Sequence, residues 1–146
     1  MTWKDALDEI QQRDGLLRAP AVVDEATDPS SPLHEYFEWD DDKAAAAHRV
    51  QQAHRLICRY EVVLVESNPT PTRAFVSLGS DAKAGGGYRP IGKVLSDADQ
   101  RAELLQQAIR ELQAIKKRYG DLQELAKVYA ALDKVKVPRK RRARQA

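Results

Sequence analysis

Tyr60-Glu-Val-Val-Leu-Val-Glu66 and Arg73-Ala-Phe-Val-Ser-Leu78 are the two stretches where the helical pattern of this chain stops. Both are β-branched and aromatic, and Ser67-Asn-Pro-Thr-Pro-Thr72 separates them. Two such runs joined by a short, proline-stiffened connection predict a β-hairpin. Ser80 to Gly87 is small and flexible in composition and holds three consecutive glycines. Tyr88 to Val94 reads as a third, poorly formed strand, and Pro90 confines it to an edge because proline cannot donate to a ladder.

Helical patterns flank this centre. Thr2 can cap a first helix over about Trp3 to Arg13, where Trp3, Ala6, Leu7 and Ile10 share one face. Asp14-Gly15 ends it. Pro20 suits the first position of a second helix, Ala21 to Thr27, which Asp28-Pro29-Ser30 breaks. Ser31 can accept a backbone hydrogen bond ahead of a turn or two over Leu33 to Phe37. Asp40, Asp41 and Asp42 favour the positive end of a helix dipole and open a helix to Arg59. Its apolar side holds Ala44, Ala45, Ala47, Val50, Ala53, Leu56 and Ile57, and Arg49, Arg55 and Arg59 collect toward its end.

The longest element begins at Ser96, which makes a capping-box-like arrangement with Asp99. Leu105, Ala108, Leu112, Ile115, Tyr119, Leu122, Ala126 and Tyr129 then follow an unbroken 3-4 spacing. Gly120-Asp121 allows two helices in a hairpin, whereas the uninterrupted heptad phase favours one continuous or bent helix. The stripe is widened by Leu104, Ile109, Leu125, Val128 and Leu132, more than a narrow coiled-coil seam requires. We expect it to serve twice, covering the sheet and joining two copies through Leu105, Leu112, Ile115, Tyr119 and Leu122. The fold class is therefore α+β: N-terminal helices, a small antiparallel hairpin or three-stranded sheet, and a long C-terminal helix or helical hairpin.

Charge is distributed unevenly. The chain of 146 residues has 24 Lys and Arg against 22 Asp and Glu. Residues 134–146 hold seven of the basic residues and no acid, so residues 1–133 have 17 basic against 22 acidic, a formal −5. We read residues 1–133 as a single domain and 134–146 as a mobile basic arm that buries too little apolar surface to order itself. Lys134, Lys136, Arg139, Lys140, Arg141, Arg142 and Arg144 suit phosphates, contacted without reading sequence. Lys83 and Arg89, beside the glycines, are further candidates for such contacts.

Other patterns carry less. Two short helices around Asp28 to Ser31 have helix-turn-helix spacing, but Leu33 to Trp39 has no cation and carries Glu35 and Glu38, so phosphates would repel it. The acidic and aromatic residues Tyr36, Phe37, Glu38, Trp39, Asp40 and Asp41 instead suit a protein partner, the basic arm included. His54 and Cys58 are two ligands at most, too few for zinc. The glycines lack the Lys-Ser or Lys-Thr of a phosphate-cradling loop. No nucleophile–base or paired-acid arrangement stands out, so we expect a non-enzyme without cofactor or metal. The longest apolar run, Val62 to Val65, is far below the roughly 20 residues that span a bilayer. No secretory signal is apparent near Met1, and a lone Cys58 fits a reducing cytoplasm.

The stretch Ser31-Pro-Leu-His-Glu-Tyr-Phe-Glu-Trp-Asp-Asp41 has the form S-P-L-H-x-x-F-x-W-D-D. With Lys43-Ala-Ala45, Arg73-Ala-Phe-Val-Ser-Leu78 and Gly87-Tyr-Arg-Pro-Ile91, it resembles a group of small proteins of tailed phages and prophages with no established activity. The resemblance covers about residues 15–130 and leaves out the arm. It implies a phage-encoded protein acting in the cytoplasm of a bacterial host. Taken with the arm, the expectation is a non-enzymatic, dimeric DNA-binding protein, of the nucleoid-associated or transcription-regulating kind. The alternative is a module that binds a host protein through its acidic and aromatic segment.

Overall fold

The computed structural model describes residues 1–39 and 43–138. They form a small α+β structure in which helices dominate and the strands are short. Two compact units are present, residues 1–93 and 94–146.

In the first unit, α1 (Trp3–Asp14) starts at a complete capping box. Asp5 N–H donates to Thr2 Oγ1 at 3.3 Å, and Thr2 N–H donates to Asp5 Oδ2 at 2.7 Å. Gly15 closes the helix with a left-handed φ of 76°. α2 (Ala19–Ala26) has Pro20 in its first turn, where the missing N–H costs nothing. α3 (Lys43–Arg59) packs against α2. The core consists of Leu7 and Ile10 from α1, Leu17 from the connection, Val22 and Ala26 from α2, and Leu56 and Ile57 from α3, closed by Leu33 and Phe75.

The hairpin pairs as a ladder only at its base, with one isolated bridge, Val65↔Asn68, at its tip. β1 (Glu61–Val62) pairs antiparallel with β2 (Thr72–Arg73), in the register Glu61↔Arg73 and Val62↔Thr72. Beyond Val62 the run has no second layer to pack on, and Val63, Leu64 and Val65 are 53%, 43% and 55% exposed. Pro69 and Pro71 also remove ladder donors from the returning side. The second predicted strand is divided between two sheets. Ala74 N–H donates to Tyr60 O at 2.7 Å, while Ala74 O accepts from Ile91 N–H at 2.8 Å. After this switch, β3 (Phe75–Val76) pairs with β4 (Arg89–Pro90), in the register Phe75↔Pro90 and Val76↔Arg89. The expected third strand is thus two residues long, and Ile91 already begins α5 (Ile91–Ser96). The segment expected to be flexible, Ser80 to Gly87, starts inside a short helix, α4 (Gly79–Lys83).

In the second unit, α6 (Ala98–Tyr119) is the longest element, and its cap is Asp97 rather than Ser96. Asp97 Oδ1 accepts from Gln100 N–H at 2.9 Å, while Ser96 is the last residue of α5. The stripe does not continue through Gly120. The chain turns there, forms a 3-10 turn at Gln123–Leu125, and returns as α7 (Ala126–Asp133). Lys116 Nζ meets Asp133 Oδ2 at 3.0 Å, and Gln113 Nε2 donates to Asp133 Oδ1 at 3.4 Å. Residues 17 apart on one straight helix would lie about 25 Å apart, so these contacts require the reversal. A Cβ at Gly120 would fall 2.9 Å from Lys116 O, which is why this corner needs glycine. Of the hairpin and the continuous helix, the hairpin is observed. Among the described residues, no helix is long and apolar enough to cross a membrane.

Tyr60 ties α3's end to α1, its hydroxyl donating to Asp8 Oδ2 at 2.9 Å. Burial, then the hydrogen bond to the Asp8 carboxylate, pushes this phenol from 10.0 up to about 12. Because the folded state holds the proton more tightly, the stability this linkage contributes is complete below the ordinary phenol range. It is lost as pH rises through about 12. We expect Tyr60→Phe to remove one phenolate absorbance step near 12 and leave the other tyrosine steps in place.

Candidate functional site

The residues expected to contact phosphate do not form one surface among the described residues. Lys134 and Lys136 are exposed where the chain leaves α7. Arg139, Lys140, Arg141, Arg142 and Arg144 lie outside the described residues. Lys83 is exposed as the last residue of α4. Arg89 is engaged within the fold: its Nε donates to Asp81 Oδ2 at 2.7 Å and its Nη2 to Asp81 Oδ1 at 2.8 Å. Asp81 is 5% exposed, so this fork neutralises a nearly buried carboxylate.

That pair shapes the glycine loop. Gly85, Gly86 and Gly87 have φ of 106°, 85° and 137°, a region that other residues rarely adopt. Gly86 N–H donates to Asp81 O at 2.7 Å. On the far side, Tyr88 and Leu17 exchange backbone hydrogen bonds of 2.8 and 3.0 Å, and the Tyr88 hydroxyl lies 2.8 Å from His54 Nδ1 in a hydrogen bond. Burial holds the Tyr88 phenol above its usual range. The loop is therefore fastened at both ends instead of offering a free tip.

The acidic and aromatic segment is partly internal. Leu33 and Phe37 enter the core on either side of a 3-10 turn, His34–Tyr36. A recognition helix would need several turns here, and only this single turn is present. His34 Nδ1 donates to Ala26 O at 2.8 Å, and its ring stacks on Trp39 at 4.9 Å with an interplanar angle of 7°. Trp39 Nε1 donates to His34 O at 3.0 Å. The Arg49 guanidinium lies 4.9 Å from the Trp39 ring centroid, and its Nε donates to Glu38 O. Tyr36 is half-buried against Trp3, and Glu38 is exposed. Asp40 and Asp41 lie outside the described residues. The S-P-L-H-x-x-F-x-W pattern is thus explained by packing as far as Trp39.

The seam residues behave differently. No residue of α6 is buried. Leu105 is half-buried, while Leu112, Ile115, Tyr119 and Leu122 are 43%, 42%, 46% and 49% exposed. The first four lie on α6 and Leu122 in the turn after it, while Tyr129 is buried on α7. The turn thus removes the last part of the stripe from the seam.

Sequence reasoning singled out Arg55 and Arg59 but missed the cluster they belong to, a hollow of about 150 Å³ lined by Tyr36, Gln52, Arg55, Leu56 and Arg59. The spacing of Gln52, Arg55, Leu56 and Arg59 at i, i+3, i+4 and i+7 signals a shared face of α3. Only the fold brings Tyr36 to that face. Comparison with protein-family models, curated proteins and solved structures finds no match.

Replacing Arg89 by Met should leave Asp81 buried and unpaired, costing about 2–3 kcal/mol, the lower end for a pair with one partner half-exposed. Urea unfolding monitored by circular dichroism measures it. An unchanged midpoint would show that the pair does not hold the loop.

Proposed function

We propose that this chain is a phage-encoded, non-enzymatic DNA-binding protein, acting in chromosome organisation or transcription control in the cytoplasm of a bacterial host. The supporting observation is the placement of charge. Residues 1–93 carry 11 basic and 15 acidic residues, a formal −4, and residues 94–146 carry 13 and 7, a formal +6. The excess lies in the arm, which begins directly after α7. Long-range attraction to a polyanion therefore belongs to Lys134, Lys136, Arg139, Lys140, Arg141, Arg142 and Arg144. Arg89 contributes little to it, because Asp81 already holds its fork.

The protein acts as a homodimer in this proposal. The exposed apolar row Leu112, Ile115 and Tyr119 on a helix with no buried residue favours a second copy there. Pairing would set two basic arms on one duplex. The competing reading, a module for a host protein built on Tyr36, Phe37, Glu38, Trp39, Asp40 and Asp41, has less support because Phe37 and Trp39 are engaged in packing.

Two measurements check this reading. Mobility shifts of the full chain should weaken about 10³-fold between about 50 and 200 mM salt if the arm neutralises six or more phosphates. The chain ending at Asp133 should bind far more weakly at the lower salt, and equal binding would refute the role of the arm. Light scattering should give twice the chain mass for the native protein and the single-chain mass for Leu112→Glu/Ile115→Glu. A native protein at the single-chain mass would refute the dimer.

A further inference from the structure

From the hollow on α3 we infer a binding site for a tetrahedral oxyanion, a phosphate group, formed by Tyr36, Gln52, Arg55 and Arg59. Its location is unexpected, because the unit around it is formally −4. Long-range attraction does not bring an anion here, so recognition must come from contact.

The three arginines of α3 have different fates. Arg49 is engaged with Trp39 and Glu38. Arg55 and Arg59 are exposed and have no hydrogen bond or ion pair among the described residues. They stand one turn apart on a single face, so their forks can converge on one group. Gln52 Oε1 already accepts from Glu38 N–H at 3.2 Å, which leaves its amide –NH2 as the available end. The Tyr36 hydroxyl likewise has no partner among the described residues. Leu56 supplies an apolar wall.

Size and donor number select the ligand. A volume of about 150 Å³ is well below the 300 Å³ and more typical of organic-ligand pockets, and suits a small polar group. Two guanidinium forks, an amide and a phenol together offer more donors than the roughly four acceptor sites of a carboxylate. A phosphate, with oxygens directed to several sides, uses more of them, and arginine forks match its edges in bidentate fashion. The helix dipole accounts for cations near the end of α3. It does not account for an amide and a phenol around the same hollow.

The site does not depend on the arm, and the phosphate has two possible sources: the backbone of a nucleic acid or a free phosphorylated small molecule. The test uses the full chain, labelled with nitrogen-15, with the Nε–Hε signals of Arg55 and Arg59 as readout. Inorganic phosphate should shift both saturably, and chloride at matched ionic strength should not. R55K/R59K keeps the charge but loses the forks and their signals, so the two chains are compared at the side-chain amide of Gln52; the variant should bind phosphate at least about tenfold more weakly, about 1.4 kcal/mol, with an unchanged circular dichroism spectrum. A nucleoside 5′-monophosphate and a short oligonucleotide then separate the sources. Shifts with both assign a backbone phosphate, and shifts with the nucleotide alone assign a free one; either supports the site. No saturable phosphate shift, a shift equalled by chloride, or one retained in R55K/R59K overturns it. Replacing the seven arm cations by Gln in the full chain tests the arm separately: DNA binding should fall while the phosphate shifts remain.

Discussion

Asp81 brings a carboxylate into a nearly closed site, and the chain that follows the hairpin is arranged around neutralising it. An unpaired charge at that depth would cost several kcal/mol, so the loop must return Arg89 to it within eight residues. The return is possible because Gly85, Gly86 and Gly87 take a backbone path that other residues rarely adopt. It delivers Tyr88 to Leu17 and Arg89 to Val76. β4, and with it the second sheet, thus depends on one bidentate ion pair and three glycines more than on strand propensity.

The same competition between internal and external partners runs through the first unit. Positive charge is a poor guide to a surface when fold acids and carbonyls already hold it. Arg13 lies between Asp14 and Glu25, Arg49 between Trp39 and Glu38, and Arg89 on Asp81. Arg55 and Arg59 differ because their helix face meets the edge of a 3-10 turn that carries no carboxylate into the hollow. In the second unit the imbalance is apolar. A 22-residue helix with no buried residue has a stability deficit that a second helix face could offset.

Much of this was readable from local pattern. The cap at Thr2, the stop at Gly15, Pro20 near a helix start and the Ser31 turn follow from bonds between residues a few positions apart, and all are observed. The strands were less legible. Val62 to Val65 has strand composition, but a ladder also needs a facing surface, and none covers Val63 to Val65. Heptad phase likewise suggested continuity through Gly120, because periodicity records which residues are apolar and not whether the backbone between them turns. Among the candidate residues, Arg89 and Phe37 have types that suit binding, yet the fold engages both internally. The cluster at Arg55 and Arg59 was visible as a spacing but lacked its fourth member, Tyr36.

The start and stop of α1, its apolar face and the excess of basic residues after Asp133 were settled by composition and short-range chemistry. Such effects act within one or two turns or depend only on counting charges. The division of one predicted strand between two sheets at Ala74, the reversal at Gly120 and the partner of each arginine were decided by tertiary structure. Each depends on groups far apart in sequence: Tyr60 and Ile91 around Ala74, Lys116 and Asp133 across the turn, Tyr36 beside Arg55 and Arg59. Long-range contacts of this kind select among conformations that local preference leaves nearly equal in free energy.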